Sequence, residues 1–217
     1  MLEKMGEFFD RRLEGYEEHQ LTAIEHAGEF YPFTAGLLPA GPGARILDLG
    51  CGTGLELQWY FRRNPTARVT GIDLAPGMLE ALKEKFPARE LNLICGSYFD
   101  ADFGEGYDGA VSVESLHHFT QGEKIPLYEK IRKALKPGGV FVLTDYFAES
   151  AGEEDGFFLE LARLKREQGL SEKEFYHFDT PLTLEHETEA LRAAGFAAVE
   201  IMGQWGHTAA LRAEAGG

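Results

Sequence analysis

Residues 46–54, ILDLGCGTG, constrain this chain more than any other stretch, because an apolar run there passes straight into a loop with glycine at every second position. Ile46, Leu47 and Leu49 read as a short buried strand. Gly50, Gly52 and Gly54 make a loop that reaches φ > 0 at no steric cost and lets a ligand approach bare backbone. Asp48, beside them, adds a carboxylate able to hold a cationic or hydroxylated group. A tight strand-to-helix connection without a ligand would use the same glycines, so the neighbouring sequence decides. LELQWYFRRN after Gly54 reads as a helix, and VTGIDL, residues 69–74, reads as a second strand closing on an acid. Asp73 follows Gly54 by 19 residues (73 − 54). A carboxylate at about that distance, at the tip of the second strand, is where a βαβ nucleotide fold holds ribose hydroxyls. The dinucleotide fingerprint wants a third glycine at position 55, which here is Leu55, so a ligand without phosphates is favoured over NAD or FAD.

The alternation then continues. Helices are expected over residues 55–63, 76–85 and 123–135, and strands over 69–73, 91–95, 109–113 and 140–144. This rhythm implies right-handed crossovers and a parallel sheet covered on both faces. Met5, Phe8, Phe9, Leu13 and Tyr16 fall at helical spacing in a first helix, residues 2–16, and a second is expected over 18–38. Such helices either pack onto the sheet or form a lid over a ligand. An acidic stretch, residues 147–180, interrupts the pattern with a helix whose stripe Phe157, Phe158, Leu161 and Leu164 should dock it. It leaves from the carboxyl end of a strand, the edge where open α/β sheets bind ligands, and so reads as a cap. A helix over 184–194 and a hairpin, 196–202 with 207–212, complete the chain. At 217 residues and 44% hydrophobic, one domain spanning 1–217 is expected.

DLGCGTG, GIDLAPGML, YDGAVSVESLHHF and LKPGGVFVLTDY together resemble the motifs of class I S-adenosylmethionine-dependent methyltransferases, over roughly residues 8–212. The resemblance implies a doubly wound, seven-stranded, mostly parallel α/β sheet with an antiparallel C-terminal strand inserted beside the fifth. It also implies a helical lid over 1–40 and a helical insertion after strand 5. The donor would be S-adenosylmethionine, leaving S-adenosylhomocysteine. Gly50, Cys51, Gly52 and Gly54 would face its methionine portion, Asp48 would support the loop and the ammonium, and Asp73 would take the ribose hydroxyls. Leu74 and Met78 would flank the adenine, although Met78 serves equally well as core. At the end of the third strand, where the family usually has an acid, this chain has Gly96-Ser97-Tyr98; Ser97 would accept the adenine amine more weakly, with Asp100 and Asp102 nearby. Val113 and Glu114 open the segment that passes the sulfonium. One of His117 and His118 would point inward as a general base, the other reading being a brace for the following helix. Tyr16 fits the family's lid; Asp145, Tyr146, His177, Asp179, Trp205 and His207 form a second tier expected at the ligand edge.

Thirty-six acids against 21 bases give a formal charge of −15, which works against a polyphosphate partner. Glu149, Glu153, Glu154 and Asp155 form a solvated acidic face, or else a surface suited to a cationic substrate. Two cysteines make no disulfide framework, and no apolar run reaches signal-peptide or membrane-spanning length, so a cytoplasmic monomer or homodimer is expected. No metal ligand set is expected. The function read from these residues is methyl transfer to an O, N or C atom of a small molecule. A non-catalytic S-adenosylmethionine-binding subunit and an NAD-dependent oxidoreductase are the alternatives.

Overall fold

One reversal of strand order organises the sheet of the computed structural model, which describes residues 1–171 and 174–216. Residues 172 and 173, inside the expected cap, and residue 217 lie outside the described residues. The strands are β1 (Arg45–Leu49), β2 (Arg68–Asp73), β3 (Glu90–Cys95), β4 (Tyr107–Val113), β5 (Leu135–Tyr146), β6 (Ala198–Trp205) and β7 (Thr208–Glu214). They lie in the order β3-β2-β1-β4-β5-β7-β6. The first five pair in parallel, and β7 runs antiparallel to both β5 and β6. This is the doubly wound, seven-stranded sheet the sequence implies, with its reversal between β1 and β4. Because β6 runs in the sense of β5, the β6–β7 turn falls at the carboxyl edge of the parallel strands, carrying Trp205 and His207 with it.

Strand periodicity builds two cores, one on each face. Leu47 and Leu49 of β1, Ala110 of β4 and Phe141 and Leu143 of β5 face one cluster with Tyr128, Ile131 and Leu191. Ile46, Val111, Val140 and Val142 face the other, with Phe30, Leu57 and Phe61. Fully burying each such aliphatic or aromatic side chain contributes about 1.5–3 kcal/mol. The helices that cover these faces are α1 (Met5–Arg11), α2 (Tyr16–Ala23), α3 (Ala27–Leu37), α4 (Leu55–Arg63), α5 (Pro76–Lys85), α6 (Gln121–Ala134), α7 (Ala151–Gln168) and α8 (Leu184–Ala193). Thr120 and Glu123 close a reciprocal capping box that starts α6. No helix among the described residues is long and apolar enough to cross a membrane.

The N-terminal segment departs from the expected pair of helices. It forms three, broken where Gly15 (φ 78) and His26 (φ 61) enter the left-handed region. β5 also begins at Leu135 rather than at 140, so Lys136-Pro137-Gly138-Gly139 belongs to the strand instead of a connecting turn. The stripe on α7 is shallow: Phe157, Phe158, Leu161 and Leu164 are half-buried, and Leu159 stays exposed.

Beneath α6 and α8 the fully buried Lys124 donates to Glu187 at 2.5 Å, and the Tyr128 hydroxyl donates to the other carboxylate oxygen of Glu187. Removing one member strands a charge away from water, which costs about 3–5 kcal/mol. Lys124→Ala should therefore lower the unfolding free energy by that amount in urea titrations. The double variant Lys124→Met, Glu187→Leu should recover most of it.

Candidate active site

Backbone donors sew the glycine loop to the tip of β2. The Gly50 and Cys51 amides donate to Ile72 O at 2.8 and 3.2 Å, and the Gly52 amide donates to Asp73 Oδ2 at 2.8 Å. Asp73 Oδ1 accepts from the Ala75 amide at 2.9 Å, so one carboxylate links the loop to the start of α5. Burial raises its pKa, opposed by these amide donors. Gly50, Gly52 and Gly54 all have positive φ, yet their surroundings differ. A Cβ on Gly50 would lie 2.0 Å from Ser115 Oγ, and one on Gly54 would lie 2.4 Å from Leu82 Cδ1. At Gly52 the nearest atom is the Tyr16 hydroxyl oxygen, 3.7 Å away. Gly52 thus offers open backbone, whereas Gly54 serves helix packing.

A narrow cavity of about 50 Å³ lies against this loop. Of the residues expected to hold the donor, it brings together Tyr16, Gly50, Gly52, Asp73, Leu74, Met78, Tyr98, Val113 and Glu114, along with His118. It does not bring Asp48, Cys51, Gly54, Gly96 or Ser97 to its wall. Cys51 Sγ turns inward over Gly71. The Ser97 hydroxyl accepts from the Phe99 amide at 3.2 Å, as a turn residue does. Met5, Phe9, Ser115 and Phe119 complete the wall, and the sequence pattern gave no sign of Ser115 or Phe119 there. Asp73 with free lone pairs, bare backbone at Gly52 and apolar surface at Leu74 and Met78 fit a ligand that joins a sugar diol to a flat apolar ring. Small-molecule pockets usually hold about 300–1,000 Å³, so the walls of this cavity, Met5 and Phe9 of α1 among them, must part to admit such a ligand.

α1 is held down by a strap. The Met5 amide donates to Phe175 O at 3.0 Å, the His177 amide donates to Glu3 O at 2.9 Å, and Phe8 stacks on His177 with ring centroids 3.5 Å apart. The N-terminal helices and the segment between α7 and α8 are therefore joined through residues 3–8 and 175–177. Beyond this strap lies a chamber of about 770 Å³ whose floor includes Glu114, His117, His118, Tyr146 and Asp179, with Trp205 and His207 at its side. Phe9, Tyr16, Glu114 and His118 line both chamber and cavity. The two spaces are neighbours across one wall.

On the floor, His117 Nδ1 meets Asp145 Oδ1 at 2.5 Å, and its Nε2 lies 3.5 Å from Asp179 Oδ1. Leu116 and Tyr146 amides also donate to Asp145, fixing it. Burial pulls the His117 pKa down, but the charge and hydrogen bond of Asp145 outweigh it and hold the ring well above its ordinary value. His118 behaves oppositely. Burial and the charge of His117 push it down to about 3, and its Nδ1 lies 3.1 Å from Phe178 O. His117 is thus the proton-carrying ring, and His118 is neutral. Glu114, in the left-handed region at φ 49, is pushed up to about 8 by burial and by Asp145. A non-glycine residue held there stores strain of about 1–3 kcal/mol, a frequent feature of functional sites.

Asp48 lies under the loop and is 1% exposed. Its partner is Glu56, a pairing that no spacing in the sequence announces; burial raises both pKa values, and Asp48 rises further against the charge of Glu56. Because the folded state binds protons more tightly here than the unfolded chain, stability falls as pH climbs from the ordinary carboxylate range, about 4, through the raised values. Glu56→Gln should flatten that fall. Urea unfolding at pH 5 and pH 8 measures it, and equal losses in parent and variant would contradict the shared burial of this pair.

Residues 46–139 match the family model described as a methyltransferase domain. The chain is 33% identical, over 121 residues, to malonyl-[acyl-carrier protein] O-methyltransferase of Acetivibrio thermocellus, a match covering 55% of this chain and 41% of that protein. It spans about two fifths of the length of the first curated relatives it matches. An O-methyltransferase structure from Nostoc punctiforme superposes with a TM-score of 0.67 at 23% identity, covering 91% of this chain and 59% of that one. A methyltransferase solved in complex with the Haloferax volcanii activator Trm112 gives 0.67 at 18% identity, covering 99% and 96%. At these identities the structures establish the fold. The family model and the curated relatives identify residues 46–139 as a methyltransferase domain, and the strand order gives the chain the fold of its methyltransferase neighbours.

Proposed function

We propose that this chain transfers the methyl group of S-adenosylmethionine to a small-molecule acceptor held in the 770 Å³ chamber. The observation that carries the reading is the wall of Phe9, Tyr16, Glu114 and His118 shared between donor cavity and acceptor chamber. A subunit that only bound the donor would need no second space there. When bound, the donor supplies an electrophilic methyl group on a sulfonium, whose transfer to the acceptor's lone pair breaks the carbon–sulfur bond and leaves a neutral thioether.

The chain's own contribution is alignment and exclusion of water. Asp73 is the acceptor for the ribose hydroxyls, Gly52 is the point of close approach, and Leu74 and Met78 are the apolar flank. Met5, Phe9 and Tyr16 close over them as the lid. In the chamber, His117 Nε2 is the ring nitrogen directed at Asp179, and Asp145 holds the ring in place. Of the two histidines expected to face the acceptor, this reading assigns the contact to His117, whose charged ring directs Nε2 toward Asp179. Oxygen acceptors draw support from the similarity to malonyl-[acyl-carrier protein] O-methyltransferase. The charge of −15 supports small molecules over nucleic acid.

The direct test is S-adenosylhomocysteine release against a panel of small phenols, carboxylates and amines. Turnover with at least one class is expected, and donor binding with no turnover on any would favour the binding-subunit reading. Asp73→Asn keeps the size but removes a charged acceptor worth about 1.5–3 kcal/mol, so donor affinity measured by calorimetry should fall about 10–100-fold. His117→Ala should reduce turnover by about 100-fold through loss of acceptor positioning, while donor affinity stays within a few-fold. Unchanged turnover would return His117 to a bracing role.

A further inference from the structure

The geometry points to a divalent transition-metal site on the chamber floor, formed by His117, His118 and Asp179, with one coordination position open to the acceptor. One ligand atom from each of these residues lies within 4.8 Å of the other two. Asp179 Oδ1 stands 3.5 Å from His117 Nε2 and 3.4 Å from His118 Nδ1. Both separations are long for hydrogen bonds. They match the ligand–ligand edge of a tetrahedron built on metal–ligand bonds of 2.0–2.1 Å, which is about 3.3–3.4 Å.

The surroundings are those of a ligand set. A metal-bound imidazole characteristically donates its second N–H to a carboxylate, and His117 Nδ1 does so to Asp145. Asp145 is itself fixed by the Leu116 and Tyr146 amides, so it supports the ring and is not free to ligate. Asp145 and Asp179 face the same ring, and once an ion displaces the ring's proton these two carboxylates are left as an excess of negative charge. A dication balances that excess. Two nitrogens and one oxygen select zinc-like or iron-like ions over magnesium, whose preference is for an all-oxygen shell.

Two adjustments accompany binding. The ion replaces the proton on His117 Nε2, and His118 moves its proton from Nδ1 to Nε2, turning Nδ1 from Phe178 O toward the ion. The fourth position faces the chamber, where an acceptor hydroxyl bound to the ion loses its proton to solvent, and the resulting oxyanion is the nucleophile. This last step rests on the methyl-transfer reading; binding of the ion does not. His117 and His118 are adjacent in sequence, but Asp179 lies 61 residues beyond His118 (179 − 118), so no ligand spacing announces the set.

Cobalt(II) is the probe, since tetrahedral coordination gives it intense visible absorption. The metal-free 217-residue chain should bind one equivalent with that absorption, displaced by zinc and not by a comparable concentration of magnesium. Asp179 is half-exposed, so Asp179→Ala should fold normally and weaken cobalt binding at least tenfold. Asp145→Asn should weaken it about 10–100-fold by releasing the His117 ring. No tetrahedral spectrum, or cobalt affinity unchanged in Asp179→Ala, overturns the proposal. Donor calorimetry on the same samples separates the two readings: cobalt binding without donor binding sinks the methyltransferase reading alone, and donor binding without cobalt binding sinks the metal site alone.

Discussion

A single carboxylate, Asp73, ties the glycine loop to the second strand, and the rest of the site depends on that tie. Its two oxygens hold the Gly52 and Ala75 amides, so the loop's positive-φ backbone and the first turn of α5 are set by one side chain. The loop position in turn fixes Gly50 against Ser115 and leaves Gly52 facing Tyr16. Sheet order does the remainder. The reversal between β1 and β4 opens the carboxyl edge where Asp73, Glu114 and α1 converge.

The floor of the chamber is built on a different principle, an accumulation of buried charge. His117 is held between Asp145 and Asp179, which keeps it charged, while burial and then the charge of His117 keep His118 neutral. Two adjacent histidines therefore have opposite protonation behaviour. Glu114 is lifted by the same crowding while its backbone is held in a strained conformation. Asp179 arrives on the cap segment, so the electrostatics of the floor depend on how that segment and α1 are strapped together.

Much of this was legible in the sequence. The glycine loop, Asp73, the β–α alternation and the hairpin turning at the ligand edge all follow from local patterns, because backbone conformation and strand periodicity are written in neighbouring residues. The N-terminal helical stripe was legible, but its breaks at Gly15 and His26 were not, since apolar spacing continues across both. Side-chain direction was harder. Cys51, Gly54 and Ser97 lie in the expected motifs and yet turn to packing or to a turn contact, because a motif specifies a position and not what stands across from it. The Asp48–Glu56 pair, the His117–Asp145 contact and the triad with Asp179 each join residues from separate elements, so topology alone brings them together.

The central claim is that the loop at Gly50 to Gly54 with Asp73 seats an adenosyl group lacking a pyrophosphate. Calorimetric titration of the 217-residue chain with S-adenosylhomocysteine and, separately, with NAD tests it most directly. One-to-one binding of S-adenosylhomocysteine with no heat from NAD is the predicted result. Binding of NAD with none of S-adenosylhomocysteine would contradict it.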